Sequence, residues 1–159
     1  MLDDEIESEF PRLRAEGSYF ITSPKNQKYN CVAWGVRDKA HVWQYLPNFA
    51  GYYWPPGIER DDTLESWIRV FEMHMFEKCD SRQPEEGYEK IVIFLGVDGE
   101  PSHVARQMVN GTWTSKLGIR GKDIIHRSVD ALEGDIYGAI AQVMRRKCAA
   151  QEAHEIRFD

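Results

Sequence analysis

Ile91-Val92-Ile93-Phe94-Leu95, His103-Val104-Ala105-Arg106-Gln107-Met108 and Thr112-Trp113-Thr114-Ser115-Lys116-Leu117 decide the fold. The first is a continuous apolar run of strand length, suited to a strand buried on both faces. Asp98-Gly99 marks a turn after it, and Asn110-Gly111 between the second and third runs is a strong hairpin signal. Ile124-Ile125 suggests a fourth strand, and Ile136 to Met144 alternates as a strand that completes the sheet, although its Ala and Gln also suit a helix.

Upstream the pattern changes period. Leu64, Trp67, Ile68, Phe71 and Met75 fall on one face of a helix, headed by a capping-box pattern at Asp62 and Glu65, with Cys79 closing the helix. Residues 2–15 read as a short helix broken or kinked at Pro11. Helices first and antiparallel strands second is the α+β arrangement of segregated elements. The 159 residues fit one domain, 1–159, with a helical half about 1–83, a β half about 88–146 and a tail at 147–159.

Composition excludes several functions. Net charge is −6 with no long basic run, so no nucleic-acid partner is expected. Three widely spaced cysteines give neither a disulfide framework nor a zinc knuckle, and the lone histidines give no metal-ligand spacing, so no metal or cofactor is expected. The acidic N-terminus and the lack of a long apolar run predict a cytoplasmic protein with no membrane partner, with signal-independent secretion as an effector left open.

Chemistry concentrates at Tyr29-Asn30-Cys31-Val32-Ala33-Trp34. A cysteine in the first turn of a helix, capped by Asn30, faces free backbone N–H groups that can lower a thiol pKa from about 8.5 into roughly the 3.5–7.5 range. Of five histidines, only His103 begins a core strand beside small neighbours, which makes it the candidate base for Cys31. Gln27 and Asn30 are the available oxyanion donors. The aromatic run from Trp34 to Trp54 is loop-rich core or the wall of a substrate groove, with Trp34 and Trp54 as candidate contacts. A two-residue turn at Asn110-Gly111 would place Thr114 and Lys116 on the face of His103; a bulge would place Ser115 there instead. Arg106 and Lys116 read as solvated strand charges, although either can meet a substrate carboxylate.

A cysteine-headed helix followed by an antiparallel sheet that carries His resembles the papain-like cysteine peptidase and amidase superfamily. The strings from Tyr29, from His103 and from Asn110 to Gly118 also resemble a family of uncharacterised bacterial domains, over about Asn30 to Arg146. The resemblance implies a papain-like α+β fold and places Ser115 where the superfamily has its orienting Asn, with Asp123 as a further recruit. It implies a cysteine hydrolase of peptides or amides, protein substrates included: a peptidase, amidase or protein-glutamine deamidase with Cys31, His103 and Ser115 as catalytic residues. The alternative is a scaffold without turnover that binds a protein.

Overall fold

The computed structural model describes residues 3–17, 19–23, 29–37, 42–43, 52–59, 61–117 and 121–148, with the backbone alone at 42, 43 and 52. Its centre is a seven-stranded sheet in the order β1-β8-β7-β6-β5-β9-β4, formed by β1 (Tyr19–Ser23), β4 (Glu77–Cys79), β5 (Tyr88–Leu95), β6 (Pro101–Gln107), β7 (Trp113–Lys116), β8 (Asp123–His126) and β9 (Ala139–Lys147). Every neighbouring pair is antiparallel. A separate parallel pair joins β2 (Val42–Trp43) to β3 (Tyr52–Tyr53).

The fold class is α+β, but the elements are not segregated as the sequence pattern suggested. Both sheet edges, β1 and β4, come from the N-terminal half. Cys79 accordingly lies in strand β4 instead of ending the helix before it.

The alternation of strand side chains builds two cores. Ile91, Ile93, Val104 and Met144 face one layer, where α3 (Cys31–Gly35) and α4 (Leu64–Met73) bury Val32, Ala33, Trp67, Ile68 and Phe71. Val92, Phe94, Ala105, Trp113, Ile124 and Val143 face the other layer. There α1 (Asp4–Glu9), α2 (Pro11–Glu16) and a 3-10 helix (Val129–Leu132) contribute Ile6, Leu13 and Leu132. Pro11 is the first residue of α2, where its missing N–H costs nothing, so the predicted break resolves into two helices.

Two local features differ from the sequence reading. The cap of α4 is Thr63, whose Oγ1 accepts from the Ser66 N–H at 3.2 Å, while Asp62 accepts from Trp67 Nε1 at 3.2 Å. The β6–β7 turn is one residue longer than a two-residue hairpin. Met108 N–H donates to Thr112 O at 2.8 Å and Gly111 N–H to Met108 O at 2.9 Å, with Gly111 at φ 90°. This is a three-residue loop with glycine in the left-handed position. It pairs Arg106 with Thr114 and Gln107 with Trp113, and so moves Ser115 to the face of His103 and Lys116 to the opposite one.

Candidate functional site

Asn30 caps α3 with extended backbone, its Oδ1 accepting from the Ala33 N–H at 3.1 Å, and so starts the helix at Cys31. Its carbonyl oxygen is therefore committed to the cap. The helix lies close on the sheet because position 35 is glycine. A methyl there would come within 2.9 Å of both Phe71 Cε1 and Val104 Cγ1.

Cys31 is buried beneath this helix, 8 % exposed. Among the described residues the β6–β7 ladder pairs only Arg106 with Thr114 and Gln107 with Trp113. Beyond that point the backbone N–H groups of Val104, Val32 and Cys31 favour the thiolate form of Cys31. These donors and the charge of Lys116 favour the thiolate, but burial outweighs them and pushes the thiol up to about 11.

Lys116 and Asp123 are cross-strand partners on the Cys31 face of the sheet, and both are buried. Burial lowers the Lys116 ammonium below its usual value, against the opposing pull of Asp123 and Cys31. Lys116 Nζ donates to Gly121 O and lies 5.4 Å from the Tyr29 ring centroid. The Tyr29 hydroxyl donates to Asp123 Oδ2, and Asp123 Oδ1 has no hydrogen-bond partner among the described residues. Tyr29 stacks on Trp34 with centroids 5.4 Å apart, and the Arg106 guanidinium sits 4.6 Å over the Trp34 ring. Arg106 and Lys116 are thus buried members of this site, not solvated charges.

His103 faces the other layer. Its ring stacks on Tyr137 at 4.1 Å and 4°, and packs against Phe94. His103 Nε2 lies 3.1 Å from Ser115 Oγ, the neighbour expected to orient it. No hydrogen bond joins His103 to Cys31, and Nδ1 has no partner among the described residues. The structure therefore brings His103 to Ser115 and puts Lys116 on the face of Cys31, near enough for its charge to favour the thiolate. The strand parity set by the three-residue loop separates the two pairs.

Ser115 Oγ also lies 2.9 Å from His126 Nε2, one of the four histidines that the choice of His103 passed over. Its signal was the alternation in Asp123-Ile124-Ile125-His126, which puts His126 on the face of Ile124. Trp34 and Trp54 are buried core members, with Trp54 Nε1 donating to Glu59 O at 3.1 Å. Gln27, His41, His154 and the run from Tyr45 to Phe49 lie outside the described residues. Among the described residues no group of three His, Cys, Asp or Glu side chains forms a metal site, and no helix is long and apolar enough to cross a membrane.

Comparison with curated proteins and with solved structures finds no match. A family model does match, over residues 20–145, a span that holds Cys31, His103, Ser115, Lys116, Asp123 and His126 together. The chain belongs to the family described as Domain of unknown function (DUF7689).

Proposed function

We propose that the protein is a cysteine hydrolase of amide bonds built on a papain-like scaffold, with Cys31 as nucleophile and Lys116, in place of His103, as its proton partner. The observation that carries the reading is Cys31 at the start of α3 on the face that also holds the buried Lys116–Asp123 pair, where the Val104 N–H favours its thiolate. A lysine whose ammonium is destabilised by burial can accept the thiol proton. The resulting thiolate and ammonium then stabilise each other in a site shielded from water. Attack on an amide carbonyl forms a tetrahedral oxyanion. Its collapse to the thioester expels the amine, which takes the proton from Lys116, and water releases the acid. Peptidase, amidase and glutamine deamidase chemistry share these steps.

A second reading, a binding scaffold without turnover, is favoured by the burial of Cys31 and its raised thiol pKa. Alkylation by iodoacetamide, mapped to each cysteine by mass spectrometry between pH 6 and 10, separates the two. Under the hydrolase reading, Cys31 reacts at neutral pH, Lys116→Met slows it at least tenfold, and His103→Phe leaves it within about twofold. Cys79 and Cys148 serve as internal references. A Cys31 that stays inert in the folded protein, or ignores the loss of Lys116, rejects the hydrolase and leaves the scaffold.

A further inference from the structure

Three buried side chains of the second layer form a line: His103 on β6, Ser115 on β7 and His126 on β8, none more than 0 % exposed. The distances are 3.1 Å from His103 Nε2 to Ser115 Oγ and 2.9 Å from Ser115 Oγ to His126 Nε2. The line ends 3.0 Å from the Ser128 carbonyl, which His126 Nδ1 approaches. A carbonyl only accepts, so His126 Nδ1 carries the proton. The ring is dry and neutral, its pKa pushed down to about 4 by burial, so its Nε2 is a bare acceptor. The Ser115 hydroxyl must then donate to His126, and having one proton it can only accept from His103. His103 therefore holds its proton at Nε2 and presents a bare Nδ1. That nitrogen is buried and has no hydrogen-bond partner among the described residues.

We propose that His126 is a positioning residue which, acting through Ser115, fixes His103 in the Nε2–H tautomer and makes its Nδ1 a buried hydrogen-bond acceptor. The ligand it suits is a small N–H or O–H donor. Such a ligand donates a hydrogen bond to Nδ1 and keeps its proton, because a proton passed along the line would leave His126 as a buried imidazolium. An unpaired buried acceptor costs about 1–3 kcal/mol, a cost native proteins rarely carry without a use for the atom. The inference does not depend on Cys31, which faces the other layer.

Nitrogen-15 NMR of the intact protein at pH 7 tests it, because protonated, hydrogen-bonded and bare imidazole nitrogens differ widely in shift. The expected spectrum has His126 protonated at Nδ1, the minor form of a free neutral imidazole, and His103 protonated at Nε2 with an Nδ1 that accepts no hydrogen bond. In His126→Phe the Ser115 hydroxyl loses its acceptor and donates to His103 Nε2, so the His103 proton moves to Nδ1. His126→Gln, whose Oε1 takes the place of the ring Nε2 as acceptor, keeps the wild-type form of His103. A wild-type His103 protonated at Nδ1, or with Nδ1 already engaged, overturns the proposal, as does a His126→Phe protein whose His103 is unchanged. Should that variant fail to fold, the wild-type spectrum alone still decides.

Discussion

At the scale of single residues, the parity of two adjacent side chains governs the chemistry. Ser115 and Lys116 are neighbours in sequence, yet one completes a histidine pair and the other faces a thiol across the sheet. Their burial makes each polar contact consequential. The Tyr29 hydroxyl is the hydrogen bond that Asp123 receives at Oδ2, and the other carboxylate oxygen has none among the described residues. Hydrogen bonds to charged groups contribute about 1.5–3 kcal/mol. Tyr29→Phe should therefore lower stability by about that amount in urea melts with an unchanged slope. In an Asp123→Leu background the same change should cost well under 1 kcal/mol, because the hydroxyl then has no carboxylate to serve. Equal costs in both backgrounds would mean that Tyr29 acts by packing alone.

At the scale of elements, α3 depends on a glycine and an ion pair. Gly35 lets the helix approach Phe71 and Val104, and Arg37, at φ 68°, leaves the helix to meet the buried Glu89 with Nη2 2.9 Å away. Arg146 pairs with Glu89 from the other side, so the buried carboxylate has two cations. Gly35→Ala should cost about 1–3 kcal/mol, as overpacking of a dense core does. It should also raise the alkylation rate of Cys31 relative to Cys79, because lifting α3 exposes the sulfur. A stable variant with Cys31 unchanged would show that the helix has room the geometry denies. The strands of the meander were legible because Ile91 to Phe94 is apolar throughout and Asn110-Gly111 marks a hairpin. The edges were not: β4 is Glu77-Lys78-Cys79, with no apolar alternation, and β1 is only five residues long and is followed in sequence by the polar run Pro24-Lys25-Asn26-Gln27-Lys28. The same limit hid the site. Whether Ser115 or Lys116 shares a face with His103 turns on one residue of loop length, which tertiary pairing decides and composition does not. His126 became visible only when register put it diagonally across from Ser115.

For the whole molecule, two electrostatic effects of opposite sign compete as pH falls. The chain carries −6 at pH 7, and protonating its five histidines would bring it to about −1, which relieves long-range repulsion and favours the fold. The buried histidines act the other way. His126 has a folded pKa of about 4 against about 6.5 in the unfolded chain, and burial also lowers that of His103. Between those values the unfolded state binds more protons, so stability is full above about pH 6.5 and falls as pH drops towards 4. At about 1.4 kcal/mol per pH unit the His126 contribution alone is on the order of 3 kcal/mol. Surface repulsion is screened beyond about 8 Å at physiological salt, whereas the cost of charging a dry imidazole is not, so burial should win. Urea melts at pH 7, 5.5 and 4.5 should show falling midpoints, with a shallower fall in His126→Gln and little dependence on salt. Midpoints that rise on acidification would mean that net charge governs the stability of this fold, and that the imidazoles of the second layer are wetter than their burial implies.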